Sequence, residues 1–391
     1  MNYILSDGSL WDSFLPFTFT RPVAEIRMGI LTIKEKWEKW LMTSVSTQTK
    51  THLSQKFPLK TASQNIIISA NYLPDDKLVQ KIKALKEGEA LFDGDVLVAF
   101  FTETPVEKYD LSKCKRIVLE HVPLKIENVW DIFSKNAEAL QSDFNMLTQG
   151  RQSQPLSTTN QVLNSENIFL EEGAQVEFSI LNASTGPIYI GKGAQIMEGC
   201  TIRGGLALCD NAVIKMGAKL YGPSTFGPYC KVGGEVSNSV LFAHSNKGHE
   251  GFLGNSVLGE WCNLGADTNT SNLKNNYAPV RLWDYKTEGF AQTGLQFCGL
   301  IMGDHSKCGI NTMFNTGTVV GVSANIFGSG FPRNFIPSFS WGGASGFSTY
   351  RTKKAYETAA AMMKRRDMEF DKIEEAVLDH VFELTKKWRK E

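Results

Sequence analysis

The chain has 391 residues, with Lys+Arg at 41 and Asp+Glu at 41. That balance leaves no electrostatic footprint for nucleic acid or an anionic membrane surface, and the length allows two or three domains with a large core. No run approaches the roughly 18 consecutive apolar residues of a membrane span, and the start MNYILSDGSLWDSF is not built like a secretory signal.

In chain order, residues 1–150 read as an α/β domain. Met1–Leu5 is a short strand, Ile33–Trp40 an amphipathic helix, Asn65–Ser69 a buried strand and Asp75–Glu87 a helix. Ala90–Phe101 carries another strand, and Trp130–Leu140 a helix. Strands alternating with helices favour a sheet with helical cover. Gln149–Asn160 is polar and reads as a linker. The seven cysteines, 114, 200, 209, 230, 262, 298 and 308, contain no CxxC pair. Their odd number and irregular spacing fit reduced thiols in a cytoplasmic protein.

Residues 160–345 repeat every six. Ile190, Ile196, Ile202, Leu208, Ile214, Leu220, Phe226 and Val232 are all apolar, and further registers run through Leu258–Leu264 and Met302–Cys308–Phe314–Val320–Ile326. A hexapeptide period stacks one inward residue per flat face on its copy one coil away, which predicts a parallel β-helix, most often left-handed. A sandwich would show period two. The register breaks near 238–257 and 271–300, where loops can leave the coil and carry function. Residues 346–391 read as a helical tail, with apolar positions from Ala359 to Leu384 at helical spacing.

Two of the chain's six histidines fall in 244-HSNKGHEGFLG-254. From composition alone a metal site, a catalytic base and a plain turn are all open. Zinc would need an i, i+4 helical pair or a third ligand, and neither is evident.

The segments KGHEGFLG, CNLGADTNTSN and LIMGDHSKCGINTMFNTGTVVG resemble the acetyltransferase active-site loop, the next coil and the acetyl-CoA coil of a known family. This is the bifunctional UDP-N-acetylglucosamine pyrophosphorylase / glucosamine-1-phosphate N-acetyltransferase family, and the length looks most like its short Bacteroidetes-type variant. The resemblance implies a reduced nucleotidyltransferase-like N-terminal domain followed by a left-handed β-helix acetyltransferase domain. It implies His249 as the base that takes the ammonium proton, an imidazole being suited by its near-neutral pKa, and Glu235 as its orienting partner. Asn263 and Asn272 match substrate-binding asparagines, and Gly265, Ala266 and Asn311 fall where the coils meet acetyl-CoA. His244 has no counterpart and reads as a loop residue.

The sequence departs from the family at the sugar-phosphate grip. Lys231 remains, but Gly233 and Ser237 stand where Arg and Lys are usual, Phe252 replaces Tyr, and Leu273 follows Asn272. Lys215, Lys247 and Arg281 are candidate replacements. In the N-terminal part the G-x-G-T-R triphosphate loop is missing from 5-LSDGSLWDSFLPFTFTRPVAEIR-27. PFTFTRP resembles the family's P-L-T-x-x-R-P, so Arg21 and Arg27 are phosphate-contact candidates, and Asp95 in FDGDVLV resembles the Gly-Asp that binds Mg²⁺. The expected ligands are therefore a sugar phosphate, acetyl-CoA and, if the N-domain is active, a nucleoside triphosphate with Mg²⁺. A β-helix of this kind usually trimerises, so a homotrimer with shared sites is expected. The alternatives are a nucleotidyltransferase whose β-helix only trimerises, or a non-catalytic sugar-nucleotide-binding protein.

Overall fold

The computed structural model describes residues 1–103 and 114–389. It divides into two compact units: Met1–Phe14, Arg21–Ile26 and Leu31–Glu127 form one, and Leu15–Thr20, Arg27–Ile30 and Asn128–Glu391 the other. The division falls at Glu127/Asn128 rather than near 150, and the short segments 15–20 and 27–30 are counted with the second unit.

The first unit is a mixed six-stranded sheet in the order β2-β1-β3-β5-β4-β6. Its strands are β1 (Asn2–Ser6), β2 (Ser46–Gln48), β3 (Asn65–Ser69), β4 (Glu89–Asp93), β5 (Val96–Thr102) and β6 (Lys115–Val118). β1 pairs in parallel with both β2 and β3, whereas β5 runs antiparallel to β3 and β4. The stretch expected as a single strand, Ala90–Phe101, is thus a hairpin. Gly94 turns it at φ +59°, a left-handed conformation that glycine adopts without a Cβ penalty. Helix α1 (Ile33–Leu41) begins at a capping box between Thr32 and Glu35, and α2 (Asp76–Lys83) at Asp75. Trp37 is fully buried, with its indole N–H donating to the Tyr72 carbonyl at 2.9 Å, which satisfies a polar atom the core would otherwise strand.

The second unit is a parallel β-helix whose strands form six-, nine- and ten-stranded faces. All eight residues of the first hexad register lie in one buried apolar core, stacked in three columns, one per face, as Ile190 on Leu208, Ile196 on Ile214 and Ile202 on Leu220. Successive coils pair with an 18-residue offset, as Ile196 with Ile214. The offset contracts to 15 where Val232 pairs with Lys247, and expands to 44 where Leu264 pairs with Cys308. The two register breaks therefore differ in kind. Residues 271–300 do leave the coil, through a hairpin of Arg281–Asp284 with Gly289–Gln292, and the neck of the excursion is closed by a bridge between Leu273 and Phe297. The 238–257 segment, by contrast, stays on the coil with shortened corners, so the expected extruded loop at His249 does not form.

One corner, between the nine- and ten-stranded faces, is built on left-handed residues: Asn211, Tyr229, His244, Trp261, His305, Ser323 and Phe339 have φ between 53° and 61°. Side chains in the same backbone conformation, one coil apart, stack. His244 lies 4.1 Å from Trp261 with planes 2° apart, and 5.2 Å from Tyr229.

The tail is two helices, α5 (Thr352–Lys364) and α6 (Lys372–Leu384), not one. Asp367 at φ +55° ends the first, and the Asp371 carboxylate, accepting from Ile373 and Glu374 N–H, starts the second. Lys390 lies outside the described residues.

Candidate functional site

His249 occupies the corner between the ten-stranded face, through Asn246–Lys247, and the six-stranded face, through Phe252–Gly254. Its side chain is exposed. What fixes it is its backbone. The Lys247 ammonium donates to the His249 carbonyl at 2.6 Å. Gly251, at φ +109°, lets the chain pass the next coil: a Cβ there would meet the Thr268 carbonyl oxygen at 2.2 Å.

Lys247 is the exception in the core. It takes the inward slot next to Val232 and is 2 % exposed. Its methylenes stand in for an apolar residue while the charged end reaches the corner, and desolvation pushes its pKa down to about 8. Its expected place in the phosphate grip is corrected: the ammonium turns into the protein and is held by a backbone oxygen. The sequence hid this because Lys247 sits in a hexad slot that the period marks as apolar.

Glu235 does not orient His249. It lies on the six-stranded face, and its carboxylate accepts from the Tyr221 hydroxyl at 2.7 Å. The asparagines separate. Asn263 projects from the ten-stranded face, where its Oδ1 faces the Asn246 amide at 3.4 Å. Asn272 donates to Asn255 Oδ1 at 2.8 Å, close to Gly254 on the six-stranded side.

Gly265 is required by coil stacking, since a Cβ there would meet the Gly309 carbonyl carbon at 2.4 Å. Its neighbour Ala266 accepts from the Asn311 N–H at 2.8 Å, so these three expected acetyl-CoA residues do meet on adjacent coils, with Asn311 exposed.

Arg21 and Arg27, the expected phosphate contacts, are both buried, at 5 % and 8 % exposure. The Arg27 guanidinium donates to the Ile30 carbonyl at 2.5 Å. The motif around them is also structural. In the second unit Phe17 packs on Phe242 at 5.1 Å, and the Thr20 hydroxyl donates to Asp304 at 2.7 Å. Asp95 is fully exposed on the β4–β5 hairpin and pairs with Arg116 at 3.0 Å. Among the described residues no group of three or more His, Cys, Asp or Glu could hold a metal ion. Asp95 with a guanidinium as its neighbour does not fit a Mg²⁺ site.

Sequence reading missed Asp7. It follows β1 and is 3 % exposed, accepting from the Val23 N–H at 2.8 Å and the Thr49 hydroxyl at 2.5 Å. Burial pushes its pKa up to about 6. It marks the carboxyl end of the parallel strands, where open α/β sheets bind ligands. The S-D-G turn after a strand was the available signal.

Residues 3–152 match the family model for sugar nucleotidyl transferases. The chain is similar to proteins named bifunctional protein GlmU. That of Methanocaldococcus jannaschii is 33% identical over 87 residues, 22% of this chain and 21% of the relative. That of Synechococcus elongatus is 26% identical over 151 residues, 37% of this chain and 29% of the relative. The chain thus matches about a fifth to a third of these relatives' length. Among solved structures, the polySia-specific acetyltransferase NeuO aligns over 53% of this chain and 94% of its own, at 12% identity and a TM-score of 0.27. No helix among the described residues is long and apolar enough to cross a membrane.

Proposed function

We propose that the β-helix transfers an acetyl group from acetyl-CoA to the amine of an amino-sugar 1-phosphate, glucosamine-1-phosphate in the first instance, with His249 as general base. The observation that carries this reading is the exposed His249 imidazole on a backbone held by Lys247. The imidazole takes a proton from the sugar ammonium and passes it to solvent, the freed amine attacks the thioester carbon, and as the tetrahedral adduct collapses the nitrogen gives up a second proton, which ends on the departing coenzyme A thiolate. Glu235 is engaged by Tyr221, so in this reading the group that orients the imidazole is taken from the substrate or from a second copy of the chain. That agrees with a trimer with shared sites. The motif match around KGHEGFLG and the likeness to GlmU proteins support the substrate class. A matrix of acyl-CoA donors against amino-sugar phosphates, read by thiol release, tests it. No turnover with any pair overturns it.

A second reading, nucleotidyl transfer by the first unit, is supported by the family match over residues 3–152 and by Asp7 and Thr49 meeting beyond β1 and β2. Pyrophosphate release from UTP and N-acetylglucosamine-1-phosphate, with and without Mg²⁺, tests it.

A further inference from the structure

The β-helix ends in an antiparallel pair of strands, Ser340–Gly343 with Gly346–Thr349, and the chain comes back beside this last coil after α6, through Lys386–Trp388 and Arg389. A pocket of about 140 Å³ lies where the two meet. Pro337 and Phe347 give it an apolar wall, and Arg333, Trp388 and Arg389 line it as well. The two serine hydroxyls at its edge are already used, Ser340 donating to the Pro337 carbonyl and Ser348 to the Trp341 carbonyl. None of the residues lining the pocket is acidic.

The donors of this pocket outnumber its acceptors. Arg389 is held from behind: it donates to Thr385 Oγ1 at 2.8 Å and to the Phe382 carbonyl at 2.6 Å, with its guanidinium carbon 4.1 Å from the centre of the Phe382 ring. Those acceptors are neutral and leave its charge uncancelled, and burial pushes its pKa below the ordinary arginine value. Arg333 is exposed, with its guanidinium 5.9 Å from the centre of the Phe347 ring, and among the described residues no protein acceptor meets it. Trp388 packs edge-on against Tyr285 and Phe335, at 5.1 and 6.3 Å between ring centres. Its Nε1 is buried and has no hydrogen-bond partner among the described residues. A buried indole N–H ordinarily finds an acceptor, and an orphaned one calls for an occupant. Water could satisfy an exposed arginine on its own. It does not account for two guanidinium groups and a buried indole N–H around one small pocket.

We infer that this pocket binds a small organic carboxylate, whose oxygens are taken by the Arg333 guanidinium and the Trp388 N–H and whose carbon stem lies on Pro337 and Phe347. The planar fork of a guanidinium matches the two oxygens of a carboxylate. Arg389 adds positive charge behind them. The apolar wall favours an acid with a short carbon stem over an inorganic anion, because the stem leaves water on binding. The volume is well below the roughly 300 Å³ at which sites for larger ligands begin, which excludes a nucleotide or a coenzyme. Arg333 and Phe347 belong to the last coil and Trp388 and Arg389 to the tail, so an occupant ties the tail to the coil. The inference stands apart from the acetyl-transfer reading, because it needs neither turnover nor His249.

Titration of the full chain with butyrate, followed through the magnetic resonance signals of its indole N–H groups, tests it. Trp388→Phe keeps an aromatic ring against Tyr285 and Phe335 and identifies the Trp388 signal by its loss. That signal is expected to shift saturably with butyrate. Arg333→Ala, which removes an exposed side chain, is expected to weaken binding at least tenfold with unchanged melting temperature. Inorganic phosphate is expected to bind at least tenfold more weakly than butyrate. No saturable shift, a shift that Arg333→Ala leaves unchanged, or phosphate binding as tight as that of butyrate overturns the inference.

Discussion

The ammonium of Lys247 and the carbonyl of His249 form a 2.6 Å hydrogen bond that ties the inside of the β-helix to its proposed base. The bond runs from a core slot outward. A change in the Lys247 charge is therefore felt first at the His249 backbone.

Lys247 should give the protein a stability that rises with pH. Its folded pKa is about 8 against 10.5 when unfolded, a difference worth about 3 kcal/mol. Between those values the unfolded chain holds a proton that the folded chain has released, so stability increases across that window. Below it the whole cost of the buried charge is present. Lys247→Met is expected to be about 1–3 kcal/mol more stable than the parent at pH 7, with the gap closing toward pH 10. Urea titrations at several pH values measure this. A variant less stable at pH 7 would show that the bond to His249 outweighs the burial of charge.

Asp7 predicts the opposite trend in another window. Its folded pKa, about 6, lies above its ordinary 3.8. The stability this contributes is complete below the lower value and is lost as pH rises through the upper one. Asp7→Asn keeps an acceptor for the Val23 N–H and removes the charge. Its unfolding midpoint should be flat between pH 4 and 7, where that of the parent falls.

His249→Ala should lower acetyl transfer by about 10²–10⁴-fold while moving the melting temperature little, since the side chain is exposed. Steady-state thiol release together with thermal melting separates the two effects. Undiminished turnover would remove the residue from the chemistry.

Two glycines beside the proposed site should behave differently. Gly265→Ala would press a methyl against the next coil, 2.4 Å from the Gly309 carbonyl carbon, and should cost about 1–3 kcal/mol. At Gly248 a Cβ meets nothing within 4 Å, and φ is not in the left-handed range, so Gly248→Ala should be close to neutral. Equal effects at the two positions would contradict the close coil approach.

The β-helix was legible because its signal is repetition. Each hexad position independently reports the same inward direction, and residues from Ile190 to Val232 are buried as that period requires. Lys247 was not legible as a core residue, because burial of a lysine depends on a carbonyl two residues on that no composition rule supplies. The same holds for PFTFTRP. Its letters match a catalytic motif, yet Thr20 and Phe17 meet Asp304 and Phe242, partners more than two hundred residues away in the chain. His244 was set aside as a loop residue because its stacking partners Tyr229 and Trp261 come from neighbouring coils, at offsets that the contracted register disguises. The pocket at Arg333 was invisible for a similar reason: Trp388 and Arg389 come from the tail, and Arg333 and Phe347 from the last coil.

The Leu273–Phe297 bridge brings the two feet of the excursion together. What lies between them is anchored rather than loose: Val280, Leu282 and Tyr285 are buried, and Trp283 stacks on Phe335 at 4.1 Å. A graft spliced at this neck therefore has to bring its own apolar underside, or it leaves bare the surface that these residues now roof.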